Sequence, residues 1–219
     1  MSVLSFVRRR PETRAQDKLG EHFAEAAYRE LASVYTYDRL AQGLQEQGAP
    51  ASLVTAARRA GQDKVRSARR LSRLCRCHGG TPRQPAIEPV RSRPLELIAR
   101  DAAVEGCIKA RFAGMLAQHQ VEHASESNVR AVMRAIASDS LRHVALARRV
   151  VGWSTHRLGS AEQGRIQLEQ GHALQALAAR WTRPLDPEVR ARVGLPDASV
   201  ARQMVDKVLR ELWELPGGP

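Results

Sequence analysis

Residues 78–94 hold four prolines (Pro82, Pro85, Pro89, Pro94) and two glycines in 17 positions. No other stretch limits the fold as much. Proline removes a backbone donor and clashes with the turn before it, so the segment predicts an extended connection between two helical halves. Helical spacing appears on both sides. Over about 18–46, Phe23, Ala27, Glu30, Val34, Tyr37, Ala41 and Leu44 recur at steps of three and four, one face of an amphipathic helix. Gly48-Ala49-Pro50 ends it, and Ser52 is placed to cap a second helix over about 52–77, with Leu53, Ala57, Ala60, Lys64, Ser67, Leu71 and Leu74 on its stripe.

Past the proline-rich segment, a third helix over about 95–122 presents Ile98, Ala102, Glu105, Lys109, Phe112 and Leu116. A polar break at 123–128 leads to a fourth over about 129–157, presenting Val129, Met133, Ile136, Ser140, His143, Ala147 and Val150. A fifth helix is expected over about 160–181, then a proline-rich break at 183–196 and a last helix over about 197–214. The expected fold is all-α: two helical hairpins joined by one long crossover, a four-helix bundle with one or two C-terminal helices. The expected divisions are a basic arm at 1–16, the bundle at 17–157 and a helical extension packed on it at 158–219.

Composition agrees with a folded helical chain. Hydrophobic residues make up 43% and charged residues 26%, which excludes wholesale disorder, and 4% aromatics disfavours an all-β fold. No apolar run is long enough to span a bilayer, and the first residues do not read as a signal peptide, so the expected location is cytoplasmic without a membrane partner. Three cysteines (Cys75, Cys77, Cys107) fit a reducing compartment.

The formal charge is +12, and 31 of the 35 basic residues are arginine. Arg58, Arg59, Arg66, Arg69, Arg70, Arg73 and Arg76 crowd the second helix and make it the candidate surface for an anionic partner. Without interleaved aromatics or a reading motif, nucleic acid is disfavoured against an acidic protein or a small molecule.

The stripes are interrupted at a single level by a polar belt: Glu30; Lys64 and Ser67; Glu105 and Lys109; Ser140 and His143. Packing does not ask for this, because buried charge is costly unless paired. Glu30 precedes position 64 by 34 residues and Glu105 precedes position 140 by 35, so antiparallel hairpins bring each pair level.

The segments Arg-Glu30-Leu-Ala-Ser-Val, Asp63-Lys64-Val-Arg-Ser67-Ala, Val-Glu105-Gly-Cys-Ile-Lys109 and Asp139-Ser140-Leu-Arg-His143 carry a resemblance. Over roughly 20–157 the chain resembles the ferritin-like di-iron carboxylate superfamily, in a bacterial branch whose two paired motifs read Asp-Glu-x-x-His. The resemblance implies six metal ligands, of which Glu30, Glu105 and His143 remain. Lys64 and Ser140 stand where that branch has Glu, Ser67 where it has His, and Lys109 where it often has another Glu. A protonated lysine supplies no lone pair and repels a divalent cation.

The sequence therefore points first to a ferritin-like protein without its di-iron centre. It would act as a metal-free binding or assembly module, or as an enzyme of new, metal-independent chemistry using Lys64, Glu30 and Glu105. No cofactor is expected on this reading, and a homodimer is compatible with it. One alternative is a mononuclear iron or manganese oxidoreductase using Glu30, Glu105 and His143; another is a basic nucleic-acid-associated protein. Two short motifs, Cys75-Arg-Cys77-His78 and His119-Gln-Val-Glu122-His123, have partial zinc-ligand spacing and are read as helix ends.

Overall fold

Alternating steps of three and four produce helices wherever they occur in this chain. The computed structural model describes residues 12–86, 92–181 and 186–213, and no strand is present among them. Helix α1 spans Glu12–Glu46 and α2 spans Ala51–Cys77. A continuous rod follows in three parts: α3 Leu95–Asp101, a π-helical segment Ala102–Ala110, and α4 Arg111–His123. Then come α5 Ser127–Thr155, α6 Ser160–Arg180, α7 Pro187–Val193 and α8 Ala198–Trp213. No helix among the described residues is long and apolar enough to cross a membrane.

Helices α1 and α2 form one hairpin; the α3–π–α4 rod and α5 form the other, and the two meet mainly through α2 and α5. Opposite, α1 stands away from the rod except near α3, and α6 lies along the π segment. Two apolar clusters hold the hairpins together at opposite ends. One joins Leu19, Phe23, Leu71, Leu74, Val129, Met133 and Val193; the other joins Leu44, Leu53, Ala57, Ile98, Leu146 and Val150. A third, with Ile108, Phe112, Val205, Val208 and Leu212, seats α8 on the rod. The polar level lies between the first two, where neither cluster supplies apolar cover.

Several expectations need correction. Residues 12–16, expected in the basic arm, belong to α1, and residues 1–11 lie outside the described residues. Ser52 does not cap α2: Pro50 is the N-cap residue, and Ser52 Oγ instead accepts from Arg149 Nη2 at 3.1 Å. The break expected at 183–196 contains α7. Its start was legible in Asp186-Pro187, since the Asp186 carboxylate accepts from the Glu188 and Val189 amides at 3.0 and 3.2 Å and proline suits the first helical position. The third helix is not uniform, because its middle is wound i→i+5 instead of i→i+4.

Gly106 sets how closely the π segment approaches α5. A Cβ added there would fall on the Ala147 side chain, with the α5 backbone directly behind it. Gly106→Ala should therefore cost about 1–3 kcal/mol by overpacking. Gly152→Ala, on the same α5 where an added Cβ meets nothing within 4 Å, should be neutral or stabilise by up to about 1 kcal/mol. Urea denaturation of the two variants checks the contrast, and equal effects would contradict this packing.

Candidate functional site

Lys64 sits on the inner face of α2, and its Nζ donates to both oxygens of Glu30 on α1, at 3.0 and 3.2 Å. The pair is 12% and 17% exposed, well inside the molecule but not sealed. One residue earlier, Asp63 is fully buried at 1% exposure. Its carboxylate accepts from Arg66 in its own helix, from Arg142 Nη2 of α5 at 3.1 Å and from His143 Nε2 at 3.3 Å. Arg142 also binds Asp139, so two Asp-x-x-Arg units, one on each helix, interlock across the α2–α5 contact.

Burial, reinforced by the nearby Lys64 ammonium, holds His143 down at about 4 against the attraction of Asp63 and Asp139. The neutral ring donates a hydrogen bond from Nε2–H to Asp63, which leaves Nδ1 as an acceptor; that atom is buried and has no hydrogen-bond partner among the described residues. The Tyr37 ring stacks at a tilt on His143, centroids 5.2 Å apart. Burial first, then the carboxylates of Glu30, Asp63 and Glu105, push its phenol far above the ordinary range, so it stays protonated.

These groups border a cavity of about 480 Å³ between α1, the π segment and α6. It fills the gap where α1 stands off from the rod. Small residues hollow it out: Ala102, Gly106, Ala110 and Ala113 on the rod, Ala173 and Ala176 on α6. Glu30, Lys64, Tyr37 and His143 form its polar side, while Leu40, Phe112, Leu116, Leu146, Leu177 and Trp181 form its apolar side.

The rest of the expected belt is distributed differently. Glu105 and Lys109 line the cavity but are about half exposed, and they pair with each other at 2.7 Å rather than with Lys64. The π winding is the physical reason: a stripe drawn for a 3.6-residue turn loses its phase across it. Ser140 is buried, but its Oγ donates to the Ile136 carbonyl at 2.9 Å, and it borders a separate groove beside Gly114 and His119. Ser67 is buried and lines no part of the cavity.

Glu30, Glu105 and His143 consequently do not converge on one point. Among the described residues no group of three or more His, Cys, Asp or Glu side chains is arranged to hold a metal ion. The donor set does not fit a di-iron or mononuclear centre: an ammonium already occupies both Glu30 oxygens, and the carboxylate against His143 is Asp63, itself engaged by two guanidiniums. In the two short motifs, Cys75 is buried and Cys77 exposed, while His78 stacks on Phe23. His123 Nδ1 is spent on the His119 carbonyl at 2.9 Å.

Along α2, Arg58 binds Gln45 and Arg66 binds Asp63, whereas Arg59, Arg69, Arg70, Arg73 and Arg76 have no carboxylate within salt-bridge reach among the described residues. Arg70 is half-buried and the other six are exposed. Sequence reasoning missed Asp63 as a site residue. The available signal was the shared Asp-x-x-Arg spacing of Asp63–Arg66 and Asp139–Arg142, at corresponding places in the two hairpins. Comparison with protein-family models, with curated proteins and with solved structures gave no match for this chain.

His143 gives the site a pH signature. Its native value lies below the 6.5 of a free histidine, so the unfolded chain binds the extra proton first as pH falls. The stabilisation is complete above about pH 6.5 and is lost toward pH 4, amounting to about 3 kcal/mol for this group. His143→Gln should flatten the dependence of unfolding free energy on pH between 7 and 4.5. A slope unchanged by that substitution would show that His143 is not held neutral.

Proposed function

We propose that the chain is a ferritin-like bundle that has lost its di-iron centre and serves as a metal-free binding module, with a small molecule received in the cavity beside Glu30 and Lys64. The observation that carries the reading is the position of the Lys64 ammonium, on both oxygens of Glu30 at the edge of a 480 Å³ cavity. A fixed cation there compensates a carboxylate that a metal would otherwise balance. The cavity is of the size that small-molecule sites have, mostly apolar with a few placed polar groups. The four motif segments support the ferritin-like part of the reading.

Binding is favoured over catalysis by the state of the polar groups. The amine is engaged as an ammonium by a carboxylate, and an ammonium has no lone pair with which to attack a carbonyl. Neutral His143 has Nε2 committed to Asp63. Among the described residues no hydroxyl or thiol is hydrogen-bonded to the free Nδ1 of neutral His143, so that base has no nucleophile beside it to activate.

Lys64→Ala should remove the partner of an interior carboxylate and cost about 3 kcal/mol, while Lys64→Glu, setting a second carboxylate against Glu30, should cost more. Ferrous or manganous ion should not raise the melting temperature of the wild-type protein, and the purified protein should hold well below one such ion per chain. Thermal melts with and without metal, together with elemental analysis, test this. Stoichiometric metal that survives chelation, or melting unaffected by either substitution, would overturn the reading.

A further inference from the structure

The charges around the cavity do not balance evenly. Three lining carboxylates are each taken by a lining cation: Glu30 by Lys64, Glu105 by Lys109 at 2.7 Å, and Asp101 by Arg93 at 2.7 Å. Two lining cations are left over, Arg29 and Arg180, both exposed at the mouth. Arg180 has no carboxylate within salt-bridge reach among the described residues. Arg29 binds Glu25 at 2.9 Å, and Arg83 binds Glu21 at 2.9 Å and Glu25 at 3.1 Å, so two carboxylates serve the three guanidiniums of this edge.

The edge is felt by its neighbours. Burial first, then Arg29, lowers the proton affinity of Arg180, against the pull of Glu25. Burial together with the same two guanidiniums holds His22 down at about 4. Behind this edge run the apolar walls: Leu177 and Trp181 adjoin Arg180 on α6 and its end, and Phe112 and Leu116 face them from α4. Trp181 and Phe112 touch, ring centroids 5.6 Å apart.

Resting on the binding-module reading above, we propose that the ligand is a single-headed anionic amphiphile. Its alkyl or aromatic body lies along Phe112, Leu116, Leu177 and Trp181, and its carboxylate meets the Arg180 and Arg29 guanidiniums at the mouth. A carboxylate accepts two parallel hydrogen bonds from a guanidinium, a geometry that an alcohol cannot reproduce and a cation opposes. Lys64 is not the head-group site, because Glu30 already occupies it. The apolar body gains from leaving water without having to displace any of the three lining ion pairs.

Calorimetric titration of the full chain with decanoate, decanol and decyltrimethylammonium, each below its aggregation concentration, tests this. Decanoate should bind about tenfold or more tightly than decanol, the scale of one charge-assisted hydrogen-bonded pair, and the ammonium probe weakest of all. Arg180→Gln should bring decanoate down to the affinity of decanol and leave decanol unchanged; Arg59→Gln, at an exposed cation of α2 that does not line the cavity, should keep the preference for decanoate. Equal binding of decanoate and decanol, preference for the cationic probe, or a preference untouched by Arg180→Gln would overturn the inference while leaving a ligand cavity in place. Binding of none of the three probes would overturn both the inference and the cavity's role as a binding site.

Discussion

Compensation of charge inside a helical bundle is the constraint on which the rest of this structure depends. A carboxylate at the position of Glu30 has to be balanced, and Lys64 does so from the facing helix with both oxygens engaged. Asp63, one residue earlier and more deeply buried, is balanced separately by Arg66 and Arg142, with His143 as a neutral donor. Neighbouring residues of α2 thus serve two networks, one toward α1 and one toward α5. Removal of Lys64 would leave Glu30 without its cation, whereas Asp63 keeps one guanidinium if either Arg66 or Arg142 is removed.

The cavity follows from what the ion pairs and small residues leave unfilled. Alanine and glycine dominate the rod and α6 where they face α1, and the gap between α1 and the rod stays open while α2 and α5 close on each other. Stability and binding then draw on different parts of the molecule. The α2–α5 side, with its interlocked Asp-x-x-Arg units, fixes the hairpins, and the α1–α6 side holds open space with a cationic mouth. The π segment belongs to the second side. Its wider winding turns Glu105 and Lys109 toward solvent, where they satisfy each other and leave the interior pair alone.

Helix positions followed from residue spacing because each amphipathic stripe is long, and long periodic patterns are what a helix imposes on sequence. The non-helical stretch at 81–86, the turn at Gly48-Ala49-Pro50 and the level shared by Glu30 and Lys64 were all legible, since they depend on chain-local chemistry and on counting residues either side of a turn; residues 87–91 of the proline-rich segment lie outside the described residues. Short α7 was legible in principle from Asp186-Pro187 but is too brief for periodicity to show it.

What tertiary structure alone decided is which polar residue meets which. Asp63 lies one step off the apolar stripe of α2, yet α5 closes over it and supplies Arg142 and His143. Ser140 keeps its place on α5 but turns to the groove beside Gly114, because side-chain direction depends on the neighbouring helix as well as on phase. Arg180 carries no mark in the sequence that separates it from thirty other arginines; its significance comes from the carboxylates that pair elsewhere around the same cavity. Sequence fixes local winding through backbone and side-chain preference. Charge partners are set by approaches between segments far apart along the chain, and no periodicity encodes those distances.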